Sequence, residues 1–500
     1  MKLLLLILCL IILNQTGFGQ KENFQCLCSK IGLDSKWADS NKVSCFLIPV
    51  DKDHEQPKEG KHILAVAITE SENQSQSSPL LYLHGGPGIA TLGNLRSYLR
   101  SSTWKLIRQN HDLIFFDYRG TGFSEPDLCN DLPDSLLTFA KLNSSAEAIN
   151  EKEISLYKDC RESLLTKGIN LKTFSSFQLA ADAEAIRKVL KIDKWNIYGV
   201  SYGTTVALNI IRHFSSHVKS VILDSPFPPN APWNDFVRPF DAAFKVLEKK
   251  IQKDPTTEVQ FANLRDDFAF AVKRLNQKPV PIFYNDRKDS IKRYYTGDNF
   301  AWSIWTALLK PRVIPFVPLA IKQVASGNDS ILTLWSTAFS SSDAYGKYSE
   351  MQSRAILCFE GKPRKPEDSE DSLLKKYPEF TSFNSGLNIP ICKVWRPDDP
   401  DNKIFWPVVS DVPVLIFSGE YDPVCPPLFG ELTAKSLPNS IFINVHAASH
   451  AAIHADDCLR NIANNFISDP LSKLSIQCVS DRSEIKFITS DLFSALEKIK

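Results

Sequence analysis

A serine flanked by glycines, placed between a short strand and an amphipathic helix, constrains this chain more than any other feature. The pentapeptide Gly199–Gly203 has the sequence GVSYG. Residues 195–198 before it are aromatic and β-branched, as in a strand, and residues 204–211 after it carry apolar side chains at helical spacing. Such a turn lifts the serine hydroxyl clear of the sheet edge, because the glycines remove side chains that would collide there. An ordinary Gly-rich turn is the alternative, but the flanking pattern predicts that Ser201 is a nucleophile.

Strand-like and helical segments alternate on both sides of this turn. Two alternating runs joined by a polar turn, Val43–Val50 and His62–Ile68, predict an antiparallel hairpin. A Ser-capped amphipathic helix at 176–190 leads into the strand before Ser201. Continuous apolar runs, typical of strands buried on both faces, occur at 80–83, 112–117, 218–223, 412–419 and 441–445. The alternation predicts an α/β fold, with a mostly parallel sheet of about eight strands and helices on both faces.

The alternation stops between residues 228 and 396, where the sequence is aromatic-rich and mainly helical in pattern. Apolar periodicity there predicts helices at 235–251, 259–275, 300–309 and 313–325. One α/β domain interrupted by a helical cap accounts most simply for 500 residues. We expect the following segments: a signal peptide at 1–19, a first part of the α/β domain at 20–227, a helical cap at 228–396, and a second part with a C-terminal helix at 397–500.

The N-terminus has the layout of an export signal. Lys2 precedes the apolar run Leu3–Leu13, and small residues follow at Gly17 and Gly19. The run is too short to span a bilayer comfortably, which favours a cleaved signal peptide over an uncleaved signal anchor. No later segment is apolar enough to cross a membrane, and we expect a secreted or otherwise exported protein (extracellular, periplasmic or luminal). The sequons at Asn73, Asn143 and Asn328 are glycosylation candidates if the host glycosylates.

Eleven cysteines leave an even number once Cys9 departs with the signal, which predicts disulfides in an exported chain. The pairs that close modest loops are Cys129–Cys160, Cys358–Cys392 and Cys458–Cys478, whereas Cys26, Cys28, Cys45 and Cys425 stay unassigned. The spacing of Cys26 and Cys28 does not suit structural zinc, and we expect no metal and no cofactor. A net charge of +1 without a basic run gives no indication of a nucleic-acid partner. Nothing in the sequence sets the oligomeric state.

A serine nucleophile needs a general base, and that base needs an orienting carboxylate. In a sheet of this kind the acid and then a histidine follow the serine, each in a loop at the carboxyl end of a strand. Asp422 comes directly after the strand 412–419 and is the expected acid. Its neighbour Glu420 is a weaker candidate, and Asp411 precedes the strand at the wrong end.

Three of the nine histidines, His446, His450 and His454, lie beyond the expected acid. His446 is at the end of its strand, and His454 begins the following helix. His450 lies a few residues into the loop, where its side chain can swing toward Ser201. We therefore expect His450 to be the base, with His446 as the second choice.

The segment His84–Gly88, with sequence HGGPG, follows the strand 80–83 directly. Its glycines let the backbone turn and expose N–H groups, as an oxyanion hole requires. We expect the donors to be the amides of Gly86 and Tyr202, with Gly85 as the alternative to Gly86, whereas His84, Pro87 and Gly88 support the loop. A phosphate-binding loop is excluded because no Gly-Lys-Ser/Thr follows.

These motifs resemble a known group of enzymes. The segments 84–88, 117–124 (DYRGTGFS) and 199–203 are similar to those of the proline iminopeptidase branch of the α/β-hydrolases. The later acid loop 419–427, Ser449-His450 and the cysteines at 358, 392, 458 and 478 resemble the tripeptidyl aminopeptidase-like members. The resemblance spans residues 37–478, with Tyr118 in place of a usual glutamine and Ser449 in place of a usual glycine.

The resemblance implies a cap over the serine and removal of short segments from small peptides with free N-termini. A carboxylate would bind the free amine, and the sequence does not choose among the acids of the cap, which include Asp235, Asp241, Asp266, Asp267 and Asp298. Asp224, at the carboxyl end of its strand, is a further candidate, but the favoured interpretation is that it stabilises the turn. A carboxylesterase using the same triad is the first alternative. A non-catalytic binding module is the second, although such modules usually lose a triad member.

Overall fold

The computed structural model describes residues 24–75, 77–132, 135, 146–232, 235–286, 289–339, 348–361, 370–383, 389–396 and 398–490. The expected signal peptide at 1–19, the sequon at Asn143 and the chain end at 491–500 lie outside these residues. Within them, no helix combines the length and the apolar character needed to cross a bilayer.

The strands in chain order are β1 (Gln25–Cys26), β2 (Val43–Asp51), β3 (Lys61–Thr69), β4 (Leu80–Leu83), β5 (Leu113–Phe116), β6 (Trp195–Val200), β7 (Val218–Asp224), β8 (Val280–Asp286), β9 (Asp289–Tyr295), β10 (Val414–Gly419) and β11 (Ser440–Val445). Nine of these described strands form one sheet in the order β1-β2-β3-β5-β4-β6-β7-β10-β11, and β8 pairs with β9 separately. Within this sheet, β5, β4, β6, β7, β10 and β11 run parallel, whereas β1, β2 and β3 form the antiparallel end.

The helices of the first half are α1 (Ser35–Ser40), α2 (Leu95–Arg100), α3 (Ser102–Arg108), α4 (Ala146–Thr166), α5 (Ser176–Val189) and α6 (Tyr202–Phe214). Those between β7 and β10 are α7 (Val237–Lys253), α8 (Pro255–Phe261), α9 (Leu264–Gln277), α10 (Gly297–Leu308), α11 (Val317–Ala325), α12 (Ser330–Phe339), α13 (Glu350–Glu360), α14 (Glu370–Lys376) and α15 (Ile389–Trp395). The last are α16 (Pro427–Ala434), α17 (Asp457–Ser468) and α18 (Gln477–Ser480).

The expected α/β architecture with a mostly parallel sheet is confirmed. The sheet has nine described strands rather than about eight, because the two-residue β1 pairs with the outer edge of β2. The single helix expected at 259–275 is wrong. It is two helices, α8 and α9, separated at Asn263, whose backbone (φ −106°, ψ 35°) is not helical; asparagine competes with helical hydrogen bonds through its own side chain.

The hairpin of β8 and β9 was also missed, because the whole segment was interpreted as mainly helical. Its strands pair antiparallel from Val280 opposite Tyr295 to Asp286 opposite Asp289. The local sequence VPIFY and IKRYY is rich in β-branched and aromatic residues, and that signal could have revealed the hairpin.

The core lies on both faces of the sheet. Along β4, Leu80 and Tyr82 belong to one apolar cluster, whereas Leu81 and Leu83 belong to the cluster on the other face. Successive side chains of a strand point to opposite faces, and burial on both faces explains why β4 is apolar without alternation. The central strands are therefore fixed from both sides, and their carboxyl ends form a firm platform.

The segment between β7 and β10, here called the insert, packs in two different places. Its helices α7, α9, α10 and α11 share a third apolar cluster that includes Phe244 and Phe268. In contrast, α13 and α15 contribute Met351 and Trp395 to the cluster beneath the sheet, where Trp395 meets Tyr157 of α4 edge-on at 5.2 Å. One part of the insert thus has its own core, and the other part is anchored to the α/β domain.

Four disulfides are present among the described residues: Cys28–Cys45, Cys129–Cys160, Cys358–Cys392 and Cys458–Cys478. The last three are the pairs that the sequence indicated. Cys26 and Cys425 carry free thiols. The sequon residues Asn73 and Asn328 are exposed. Four disulfides are typical of chains that fold in an oxidising compartment.

A buried ion pair ties the antiparallel end of the sheet to α5. Arg119 donates to Asp182 through Nε (2.7 Å) and Nη2 (2.5 Å), and both side chains are fully buried. The guanidinium also donates to the carbonyls of Lys52, Thr173 and Asp51. Burial alone would raise the pKa of Asp182, but Arg119 and then His54 hold that pKa below its ordinary value.

Replacing Arg119 with alanine should lower the free energy of unfolding by about 3–5 kcal/mol, because Asp182 would keep a buried charge without its cation. The matched control is Lys61→Ala, since the Lys61–Asp51 bridge is exposed on the lysine side (53%) and should contribute less than about 1 kcal/mol. Urea unfolding followed by tryptophan fluorescence measures both. Equal losses in the two variants would contradict the importance of the buried pair.

Candidate active site

Ser201 stands at a strained turn between β6 and α6. Its backbone has φ +55° and ψ −126°, a conformation that residues other than glycine rarely adopt. The Ser201 amide donates to the carbonyl of Asp224 (3.0 Å), which fixes the turn to the end of β7. A Cβ atom at Gly203 would lie 2.1 Å from the Leu83 carbonyl oxygen, so only glycine lets α6 start this close to β4. The sequence thus holds the Ser201 hydroxyl at the carboxyl edge of the sheet.

Asp422 and His450 form a hydrogen-bonded pair at the same edge. Asp422 Oδ2 lies 2.8 Å from His450 Nδ1, and Asp422 Oδ1 accepts from the amides of Val424 and Cys425 at 2.9 Å each. Asp422 is fully buried. Burial lowers the pKa of His450, but the charge of Asp422 and its hydrogen bond outweigh that effect and raise the pKa above its ordinary value. An imidazolium at this position is therefore stabilised.

The other two histidines have different surroundings. His446 is half-exposed and lies 4.0 Å from Glu420, the weaker acid candidate. His454 is enclosed between Thr103 (2.8 Å) and Tyr198 (3.2 Å), and burial lowers its pKa to about 4. Among the three histidines weighed from the sequence, His450 is the one that contacts Asp422.

Asp224 and Ser225, at the end of β7, hold the loop that carries His450. Ser225 Oγ accepts from the amide of Ala451 (3.0 Å), and Asp224 accepts from the amides of Ala452 (2.8 Å) and Ile453 (3.2 Å). The hydroxyl of Tyr198 donates to the same Asp224 carboxylate (3.0 Å). Burial raises the pKa of Asp224 to about 7, although these donors act against the rise. Asp224 therefore orients the loop from below, and its geometry does not fit the amine-binding role considered from the sequence.

The glycine loop after β4 lies against Ser201. A Cβ atom at Gly85 would be 2.9 Å from Ser201 Cβ, so a side chain there would press on the serine. Gly86 has φ +125° and lines the cavity beside Ser201. The Tyr118 hydroxyl donates to the His84 carbonyl (3.1 Å), which ties this loop to the motif at 117–124. Burial lowers the pKa of His84 to about 4, in keeping with a supporting residue rather than a base.

Cys425 connects the serine to the Asp422–His450 pair. Cys425 lines the same cavity as Ser201, and its sulfur lies within 4.8 Å of a ring nitrogen of His450 and an oxygen of Asp422. Burial and then the nearby charge of Asp422 raise the pKa of the thiol. Residues that are far apart in the chain thus converge on one small volume at the sheet edge.

A cavity opens beside Ser201. Its walls are mostly apolar and come from the glycine loop, the start of α6, the insert and the acid loop: Gly86, Pro87, Ser201, Tyr202, Thr205, Phe227, Asp235, Phe236, Ile356, Leu357, Glu360, Gly361, Val424 and Cys425. Among the acids weighed from the sequence as amine ligands, Asp235 lines this cavity, where Arg238 Nε donates to it (2.6 Å).

Glu360, at the end of α13, is the functional candidate that sequence reasoning missed. Its carboxylate accepts from the Ser176 amide and hydroxyl at 2.6 Å each, and that hydroxyl lies 2.8 Å from the Tyr202 hydroxyl. Burial raises the pKa of Glu360. No local pattern in the sequence marks Glu360, because it lines the cavity only once α13 has folded beside Ser201.

Comparison with known proteins agrees with this architecture. A family model described as the alpha/beta hydrolase fold matches residues 78–457. The tripeptidyl aminopeptidase of Streptomyces coelicolor is 26% identical over 422 residues, which cover 77% of this chain and 71% of that enzyme. The serine protease Hip1 of Mycobacterium tuberculosis is 24% identical over 442 residues and 83% of each chain. The proline iminopeptidase of Neisseria gonorrhoeae is 23% identical over 167 residues, 33% of this chain and 38% of that enzyme.

The match over most of its length means that this chain belongs to the α/β-hydrolase fold family. The resemblance expected from the motifs at 84–88, 117–124 and 199–203 is confirmed. Within that superfamily the protein is a serine peptidase, as its similarity to peptidases over most of both chains indicates.

Replacing Asp224 with asparagine should lower kcat about tenfold and leave KM nearly unchanged. The amide would place an NH₂ group against N–H or O–H donors, so at least one of three buried hydrogen bonds is lost, at about 1–2 kcal/mol. The cavity walls would be unaffected. Steady-state kinetics on a chromogenic peptide amide measures the effect. The control is Asp411→Asn, an exposed carboxylate at the opposite end of β10; equal kinetics in the two variants would contradict the positioning role.

Proposed function

We propose that this protein is an exported aminopeptidase that removes short segments from the free N-termini of small peptides. The observation that carries the proposal is the cavity beside Ser201, which combines apolar walls with a carboxylate, Glu360, in the wall. The similarity to tripeptidyl aminopeptidase and proline iminopeptidase supports the same reaction. The disulfides support export, and the layout of residues 1–19 supports a signal peptide.

In the proposed mechanism, His450 removes the proton of the Ser201 hydroxyl as its oxygen attacks the scissile carbonyl. His450 then gives that proton to the leaving amine, and the substrate acyl group stays on Ser201 as an ester. Asp422 keeps the imidazole in the required tautomer and stabilises the imidazolium. Water, activated by His450, next attacks the ester. His450 then returns the proton to the Ser201 oxygen, which restores the hydroxyl as the acid product leaves.

The developing oxyanion needs N–H donors that are in place before the reaction begins. The amide of Tyr202 is the first of α6, and the first amides of a helix have no partner within the helix. The amide of Gly86 is the proposed second donor, on the loop that Gly85 lets approach Ser201. One such donor lowers the activation free energy by about 2.7–4 kcal/mol in comparable sites.

Selectivity for a free N-terminus requires a negative group where the substrate amine would lie. Glu360 and Asp235 both line the cavity. Arg238 Nε donates to Asp235 at 2.6 Å. The Ser176 amide and hydroxyl donate to Glu360, and the charge of Arg396 acts against the burial that raises its pKa. A carboxylate whose pKa is raised by burial gains most from an incoming cation, because the cation offsets the cost of the buried charge. We therefore assign the amine-binding role to Glu360.

Ser201→Ala should abolish labelling by a fluorophosphonate probe, since the alanine has no oxygen to phosphonylate. Ser215→Ala is the matched control, because Ser215 is an exposed serine just after α6 and should leave labelling intact. In-gel fluorescence of the labelled proteins measures both. Failure of the wild-type protein to react would contradict the catalytic assignment and favour a non-catalytic binding module.

Glu360→Gln should weaken hydrolysis of peptides with free N-termini about 10- to 100-fold in kcat/KM, as loss of a charge-assisted contact predicts. N-acetylated peptides should be poor substrates of both the wild type and Glu360→Gln. The ratio of kcat/KM for a free peptide to kcat/KM for its acetylated form should therefore be smaller in the variant. Asp235→Asn is the matched comparison and should change this free-to-acetylated ratio less than Glu360→Gln does. The measurement is kcat/KM for each free and acetylated peptide pair.

If Asp235→Asn changes the free-to-acetylated ratio of kcat/KM and Glu360→Gln does not, the amine-binding role belongs to Asp235. Equal hydrolysis of free and acetylated peptides, or faster hydrolysis of simple esters, would contradict aminopeptidase action. The apolar cavity walls would then fit a carboxylesterase.

A further inference from the structure

Three side chains at the sheet edge offer a donor set that metal cations bind. They are the Cys425 sulfur, a ring nitrogen of His450 and a carboxylate oxygen of Asp422, and these three atoms lie within 4.8 Å of one another. Two of them, His450 Nδ1 and Asp422 Oδ2, are already 2.8 Å apart. The spacing of Cys26 and Cys28 predicted no metal site. Spacing along the chain cannot reveal a set of metal ligands that comes from residues 422, 425 and 450.

The donor types select the cation. Thiolate, imidazole and carboxylate together suit zinc, which binds sulfur at about 2.3 Å and nitrogen or oxygen at about 2.0–2.2 Å in tetrahedral geometry. Neighbouring ligands of such an ion are roughly 3.5 Å apart. The three donors are on loops rather than on strands, and displacements of about 1 Å separate their present arrangement, within 4.8 Å of one another, from that spacing. Water would supply the fourth ligand.

The surroundings support binding from solution. Cys425 lines the cavity beside Ser201, so a cation can reach the sulfur through the route that a substrate would use. Cys425 has kept a free thiol while eight other cysteines form the four disulfides of the described chain. The amides of Val424 and Cys425 hold the Asp422 carboxylate from behind, as outer hydrogen bonds commonly do for metal-binding carboxylates.

We propose that Asp422, Cys425 and His450 form an inhibitory site for zinc and similar thiophilic divalent cations. Binding releases the thiol proton as the metal–sulfur bond forms. One nitrogen of the neutral His450 imidazole and one Asp422 carboxylate oxygen donate lone pairs to the cation, and the single N–H of the imidazole is carried by the ring nitrogen that the metal does not occupy. The occupied imidazole cannot accept the Ser201 proton, so hydrolysis stops until the cation is removed. The inhibition depends on the catalytic roles proposed above, whereas the binding depends only on geometry.

The binding test uses Co²⁺ as the probe on the purified protein. A Co²⁺–thiolate bond absorbs in the near ultraviolet by charge transfer, so the wild-type protein should acquire this band and Cys425→Ser should not. Cys26→Ser is the matched control, because Cys26 is the other free thiol of the described residues and lies far along the chain at β1. It should retain the band. A second variant, Cys425→Ala, guards against a serine that itself binds the metal.

The inhibition test adds Zn²⁺ to the peptide assay, with each protein scaled to its own rate without metal. Wild type and Cys26→Ser should lose activity and regain it with a chelator. Cys425→Ser should need at least about tenfold more Zn²⁺ for half inhibition, since even loss of an outer-shell partner costs 10- to 100-fold in metal affinity.

A Co²⁺ band that persists in Cys425→Ser, or no band in the wild type, would overturn the site. A band without inhibition by Zn²⁺ would overturn its inhibitory role. A protein that binds Co²⁺ through Cys425 but hydrolyses no peptide would contradict the proposed function and leave the metal site standing, so the two failures are distinguishable.

Discussion

The parallel register of β6, β7, β10 and β11 is the constraint on which the site depends. Val200 is opposite Asp224, Asp224 is opposite Phe417, and Gly419 is opposite Val445. Because the strands are parallel and neighbouring, the residues that follow them emerge at one edge within a few ångströms of each other. Backbone hydrogen bonding between these strands therefore brings the serine, the acid loop and the histidine loop to the same edge of the sheet.

Hydrogen bonds between the loops then refine what the strand register brings together. The Asp224 carbonyl accepts from the Ser201 amide, while its carboxylate accepts from two amides beyond His450. One residue thus contacts both the turn that carries Ser201 and the loop that carries His450, and a shift of either would break bonds to Asp224. This arrangement explains how a strained residue such as Ser201 is held in place, since the surrounding bonds over-determine its conformation.

The sequence predicted the features that depend on local residue patterns and on the order of residues along the chain. The α/β fold, the strands around Ser201 and the order of serine, acid and histidine follow from periodicity and from residues at strand ends. It could not identify Glu360 or Cys425, because their significance arises only when α13 and the acid loop fold beside Ser201. The break at Asn263 and the hairpin of β8 and β9 were missed for a different reason: a long aromatic-rich segment does not distinguish helix from strand by apolar content alone.

The polarity of the cavity distinguishes ester hydrolysis from the hydrolysis of peptides with a free N-terminus, which are the two reactions that the proposed triad could catalyse. An esterase needs an apolar cleft for an acyl chain, and the side chains of Phe236, Ile356 and Leu357 would serve that need. A buried carboxylate such as Glu360 has no use in such a cleft and costs free energy there, since burial disfavours its charged form. A peptide with a free amine would offset part of that cost on binding, whereas an acetylated peptide or an ester would not. The presence of Glu360 beside the nucleophile is therefore easier to explain if the natural substrate brings a positive charge into the cavity.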